Sequence, residues 1–283
     1  MSAMTEPVAR EHLLTTKQMA DFVADGMLVF PDMVPEEINA AAREEMSTGS
    51  FNEYRSKQLF AGRPLFECWP DTPGLGALLR MPQVRGLIQS LVGCAPLYDH
   101  YAFHMVKEHS TYGQHWHADA IIDTRLESFD VQLFYYSHDT PREMGGTMFL
   151  PGSHFRRVSE SDISRYQNFV GQMPMVCKAG TVAIAHHGIW HCAQPNHTGQ
   201  TRYMFKLRLN PTVPQVKLWN TDDLQEQGVL GGMGKHHLWY GNEDRLEVVN
   251  RIKFWRALVG DDKFDLGYWL SRLENQPHKQ NVS

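Results

Sequence analysis

Between residues 97 and 209 the sequence carries a succession of short β-type runs, at 97–107, 131–137, 147–150, 181–185 and 203–209, separated by turns rich in Gly, Pro, Asp and Asn rather than by helices. Strands that follow one another without crossover helices pair antiparallel, which leaves a sandwich, barrel or jelly roll. The last run says most, because side chains alternate faces along a strand. Tyr203, Phe205, Leu207 and Leu209 point one way and want a core, while Arg202, Met204, Lys206 and Arg208 point the other way, into a cavity lined with charge.

Around these strands the pattern is helical. Thr15 or Thr16 offers a cap, Met19, Phe22 and Val23 form an apolar stripe, and Gly26 is a stop before a short strand at 27–30. Pro35 suits a first helical position, with Glu36 and Glu37 in the turn where the helix dipole favours acid. A further helix fits 82–92, closed by Gly93. After a glycine-rich loop at 228–234, a helix at 243–258 places Leu246, Val249, Ile252 and Trp255 on one stripe. The expected fold is mainly β with flanking helices: one domain over 1–283, helix-rich over 1–95, a jelly-roll core over 96–212, and a C-terminal loop and helices packing on that core over 213–283.

Composition narrows the function classes. A net charge of −5 without blocks of like charge argues against nucleic-acid or membrane-surface binding. No apolar run approaches the ~20 residues of a membrane helix, and the first residues lack the layout of a signal peptide. The expectation is a cytoplasmic, enzyme-sized protein, monomer or homodimer. Cys68, Cys94, Cys177 and Cys192 are too dispersed for a zinc site or a disulfide framework.

The candidate chemistry lies in QHWHAD, where His117 and Asp119, two apart on a strand, project to the same side and can share a metal. With 15 histidines, about one such triplet is expected by chance, so context decides. The context is IWHCAQPNHTGQTRY, in which His191 follows a predicted strand and Arg202 comes eleven residues later at the start of the next. A guanidinium fork there would hold a carboxylate in bidentate fashion.

Taken together, the opening helix with DGMLVFPDMVPEE, the His117-x-Asp119 pair, GGTMFLPGSH, AGTVAIAHHGIWHCAQPN and the trailing Arg202 resemble the phytanoyl-CoA dioxygenase family of Fe(II)/2-oxoglutarate oxygenases, in the family's order, from about Thr15 to about Pro211. The resemblance implies a double-stranded β-helix (jelly roll, cupin-like) in which His117, Asp119 and His191 bind Fe(II). It also implies that 2-oxoglutarate chelates the metal, Arg202 pairs with its distal carboxylate, and O2 is the oxidant. Tyr135 stands where the family often has a Trp beside the co-substrate, Ala193 stands where it often has Ser, and Lys57 matches a family lysine. The implied reaction is hydroxylation of a C–H bond of a small organic molecule, with succinate and CO2 released. Retention of Asp119 argues against halogenation.

Other readings stay open from the residues alone. His115 and His117 would suit a 2-oxoglutarate-independent cupin dioxygenase with three histidines, and a jelly-roll protein without catalysis could keep the scaffold. His186 or His187 could replace His191 as ligand. His154 would brace a turn, His236 and His237 would sit on the surface or a lid, and Phe60, Phe66, Trp69 and Trp116 are candidates for a pocket wall. Arg55, Lys57 and Arg63 could steer an anion.

Overall fold

In the computed structural model, which describes residues 6–51, 59–119, 128–156, 160–237 and 242–267, the first helix, α1 (Thr16–Asp25), is closed at both ends by its own sequence. Thr15 Oγ1 accepts from the Gln18 N–H and Gln18 Oε1 accepts from the Thr15 N–H, a reciprocal cap. Gly26 ends the helix at φ 74°, and a Cβ there would lie 2.4 Å from the His154 ring, so the position requires glycine twice over. Strand β1 (Met27–Phe30) follows directly. Pro35 is the residue just before α2 (Glu36–Thr48) rather than its first residue. Short helices α3 (Leu65–Cys68) and α4 (Leu75–Arg80) lead to α5 (Pro82–Val92), which Gly93 closes as the pattern predicts.

The remaining strands are β2 (Arg63–Pro64), β3 (Leu97–Val106), β4 (Val131–Tyr136), β5 (Met148–Leu150), β6 (Met173–Pro174), β7 (Thr181–His186), β8 (Trp190–Cys192) and β9 (Arg202–Asn210). They form two antiparallel sheets, of order β1-β7-β4-β9-β3-β2 and β6-β5-β8. This is the expected double-stranded β-helix. Helix α6 (Glu160–Ile163) lies between β5 and β6 in sequence, and α7 (Asn242–Val259) follows the sheets. No helix among the described residues is long and apolar enough to cross a membrane.

Register decides what each face does. Phe134 pairs with Lys206 and Tyr135 with Phe205, so the odd-numbered residues of β4 share a face with Phe205, Leu207 and Leu209. That outer face packs against Phe22, Ala42, Leu87, Ile252 and Trp255 from the helices in one apolar core. The inner face carries Phe134, Tyr136, Ala183, Ala185 and Met204, which meet Phe149 of the small sheet and Ile189 just before β8. Phe134 and Phe149 make the contact between sheets, edge to face at 5.0 Å. Each such side chain taken from water contributes roughly 1.5–3 kcal/mol.

The stripe on α7 is displaced from the expected one. Leu246 is 59% exposed, and the buried face is Val248, Ile252, Trp255 and Val259, flanked by the charged Glu247 and Arg251. Glu247 and Arg251 are paired at 2.6 Å, four residues apart, so polar residues occupy the face that apolar periodicity alone would reject.

Candidate metal centre

His117 lies on an irregular segment and His191 on β8, and the two backbones are clamped together. His117 N–H donates to His191 O at 3.1 Å, and His191 N–H donates to His117 O at 2.9 Å. Asp119, two residues on, faces both rings: its Oδ1 lies 3.6 Å from His117 Nε2 and its Oδ2 lies 3.6 Å from His191 Nε2. One ligand atom from each of the three falls within 4.8 Å of the others, and among the described residues this is the one cluster of its kind. Each imidazole also has its far nitrogen fixed. Nδ1 of His117 bonds to His115 O at 2.8 Å, and Nδ1 of His191 bonds to Ile189 O at 3.1 Å. Carbonyls accept only, so both Nδ1 atoms carry the proton and both Nε2 lone pairs face Asp119. Burial holds the His191 imidazole neutral, with its pKa down to about 3. Burial opposes ionisation of Asp119, but the Lys206 ammonium bonded to it prevails and keeps the carboxyl well below its ordinary range. Two neutral nitrogens and one carboxylate on one side of a cavity fit a divalent first-row metal with open positions.

Lys206 projects from β9 into the same cavity and donates to Asp119 Oδ2, with a side chain only 6% exposed. Arg202, four residues earlier, is 1% exposed. One of its terminal nitrogens donates to Met144 O and Gln194 O, both at 3.2 Å, and it makes no ion pair among the described residues. Gly145, at φ 66°, allows this, since a Cβ would lie 1.8 Å from Pro195 O. The buried Asn196 amide reaches the carbonyls of Val106, Lys107 and Gln200 and so fixes the turn before Arg202. A buried guanidinium without a carboxylate is costly, and a ligand carboxylate would relieve that cost.

Tyr135, expected beside the co-substrate, is not there. It lies on the helical face, where its hydroxyl donates to Asn39 Oδ1 at 2.6 Å. The neighbouring Tyr136 occupies the cavity side, buried, with its hydroxyl facing Thr147 and Arg202. Both faces of β4 are buried, so the sequence shows no alternation from which to choose between the two tyrosines. Lys57 and Arg55 lie outside the described residues. Ala193 offers no hydroxyl, and its N–H is taken by Gln114 Oε1 at 3.1 Å.

The rival ligands fall elsewhere. His115 is exposed and contributes a carbonyl, not its ring. His186 stacks on Phe129 and His187 lies against Asp130. His154 is buried against His186 and Phe155. His237 is neither surface nor lid: its ring bonds to Asp25 at 2.7 Å and Glu247 at 2.8 Å. Phe66 and Trp69 belong to the outer core and Trp116 packs edge to face on Phe169 at 5.3 Å, while Phe60 is exposed. Cys68 and Cys192 are buried free thiols, and Cys94 and Cys177 are half-buried ones.

A sequence profile of the phytanoyl-CoA dioxygenase (PhyH) family matches residues 22–204. Among curated protein sequences nothing matches. Similar solved structures include AviO1 from Streptomyces viridochromogenes Tue57, with TM-score 0.52, 14% identity, and coverage of 74% of this chain and 98% of that one. The non-heme alpha-ketoglutarate-dependent carbocyclase SnoK from nogalamycin biosynthesis gives 0.53 and 19%, covering 77% and 92%. HygX from Streptomyces hygroscopicus, solved with nickel and 2-oxoglutarate bound, gives 0.53 and 16%, covering 75% and 94%. At these identities the likeness is one of fold.

Proposed function

Because the chain belongs to the phytanoyl-CoA dioxygenase family, we propose that it is an Fe(II)/2-oxoglutarate-dependent oxygenase that hydroxylates a C–H bond of a small organic molecule, releasing succinate and CO2. The observation that carries this reading is the pairing of a His117–Asp119–His191 donor set with a buried Arg202 that lacks a carboxylate partner among the described residues. A cupin without a keto acid has use for the first and none for the second. His117, Asp119 and His191 would hold the iron through Nε2, a carboxylate oxygen and Nε2, and Arg202 would receive the distal carboxylate of 2-oxoglutarate. The chemistry supplied by that pair when bound is oxidative decarboxylation of the keto acid by O2 and insertion of one oxygen atom into a C–H bond.

The chain's own residues orient and shield. Tyr136, rather than Tyr135, would add a hydrogen bond near Arg202. Phe134, Phe149, Ile189 and Met204 form an apolar wall that keeps water from the inner end of the cavity. Holding the reacting carbon in place is the protein's share of the rate. The test is oxygen-dependent formation of succinate from 2-oxoglutarate by the iron-loaded protein. Loss of succinate in Asp119→Ala and His191→Ala is expected; equal succinate from these variants would overturn the reading.

A further inference from the structure

Strand β9 presents three cations to the cavity, and the 2-oxoglutarate reading uses only one. Alternate residues of a strand lie about 6.8 Å apart, so Arg202, Lys206 and Arg208 form a row along the inner face with Asp119 meeting it at Lys206. Arg202 lies to one side of the triad. Arg208 lies to the other, donating to Asp130 Oδ2 through two nitrogens at 3.0 and 2.5 Å. Directly across the strand pair from Arg208 is Gln132, fully buried, and among the described residues neither its amide oxygen nor its amide nitrogen has a hydrogen-bond partner. A buried primary amide with nothing to bond is costly and is rarely left so.

The charges have a definite imbalance. In the chain alone Lys206 is neutralised by Asp119 and Arg208 by Asp130. A divalent metal needs Asp119 for itself, and a dianionic keto acid spends its charge on the metal and Arg202. That leaves Lys206, 6% exposed, without its acceptor, and a ligand carboxylate supplies one on the side where Arg208 and Gln132 lie.

We propose that the acceptor substrate carries a carboxylate, received by Lys206 and Arg208 with the Gln132 amide as an additional donor, on the opposite side of the triad from Arg202. The proposal rests on the oxygenase reading and names its substrate class. Arg208 and Lys206 would position the substrate for oxidation at a carbon near its carboxylate.

The probe is trifluoroacetate, with trifluoroacetamide as its neutral counterpart, added without oxygen to the protein loaded with Fe(II) and excess 2-oxoglutarate. The readout is fluorine-NMR line broadening by the iron. The account expects saturable broadening of the acid with a dissociation constant about tenfold below that of the amide, the scale of one charge-assisted hydrogen bond. In Arg208→Gln and Lys206→Met that preference disappears while the visible keto-acid band of the iron complex still forms. Equal broadening of the two probes, or an acid preference that survives either substitution, overturns the proposal. The wild-type comparison stands without the variants. Absence of the keto-acid band in the wild type removes the oxygenase reading and this proposal with it; a band with equal probes removes the proposal alone.

Discussion

His117 and His191 exchange both of their backbone hydrogen bonds, at 3.1 and 2.9 Å, although they are far apart in the chain. The geometry of the candidate metal site is thereby set by main chain on two elements, and Asp119 completes it from the same irregular segment as His117.

In the absence of metal the Asp119 carboxylate is held by Lys206. Asp119→Ala should therefore leave a buried ammonium unpaired and destabilise the metal-free protein by about 3 kcal/mol. Asp119→Ala with Lys206→Met should recover that stability without recovering iron binding. Lys206→Met alone should bind Fe(II) about tenfold more tightly, since a competing cation is gone. Denaturant midpoints and metal titrations on the three variants check all of this.

The two adjacent tyrosines should separate cleanly. Tyr136→Phe should weaken 2-oxoglutarate binding by about fivefold, the worth of one neutral hydrogen bond, with little change in melting temperature. Tyr135→Phe should do the reverse, because the lost bond is the one to Asn39 on the helical side. Calorimetric titration of 2-oxoglutarate and thermal melts distinguish the pair.

That contrast marks where sequence reasoning reaches and where it stops. The faces of β9 are legible because apolar and charged residues alternate there, and Thr15 and Gly26 bound α1 as their types require. The grouping of His117, Asp119 and His191 is legible through the family resemblance, since the spacing of His117 and Asp119 alone is expected by chance. On β4 both faces are buried, so the resemblance points to the right strand while the structure puts Tyr135 on its helical side; only pairing of Phe134 with Lys206 settles which tyrosine faces inward. On α7 the buried Glu247–Arg251 pair hides the packed face from any reading that follows apolar residues alone. His237 looks like a surface residue until Asp25, more than 200 positions away in sequence, is brought against it.

Acid should destabilise the fold through its buried histidines. Burial lowers the pKa of His154 to about 3 and of His104 to about 4, and lowers that of His186 well below the ordinary 6.5. Each binds its proton more weakly in the folded chain than in the unfolded one. The resulting stability is present above pH about 6.5 and is lost as pH falls from there toward about 3. His154 is buried in the folded chain, so His154→Leu should make the acid limb of the stability curve shallower by about one proton. An unchanged limb would place the acid sensitivity elsewhere.

The contact between α7 and the N-terminal part should respond with the opposite sign. Burial opposes protonation of His237, but its bonds to Asp25 and Glu247 prevail and raise its pKa. Its contribution is complete below pH about 6.5 and is lost as pH rises through the raised value. His237→Gln should flatten the curve on that alkaline side. Arg251→Ala, which removes one of the two partners of the buried Glu247 and leaves it His237, should cost about 1.5–3 kcal/mol, measurable by denaturant unfolding at neutral pH.

The most direct test of the central claim is optical. Fe(II) and then 2-oxoglutarate are added to the purified protein without oxygen, with Arg202→Ala alongside, and the weak visible charge-transfer band of a keto acid chelated to ferrous iron is followed. The account predicts a band that saturates with 2-oxoglutarate in the wild type and needs much higher concentrations in Arg202→Ala. Iron bound without any band, or a band indifferent to Arg202, would contradict it.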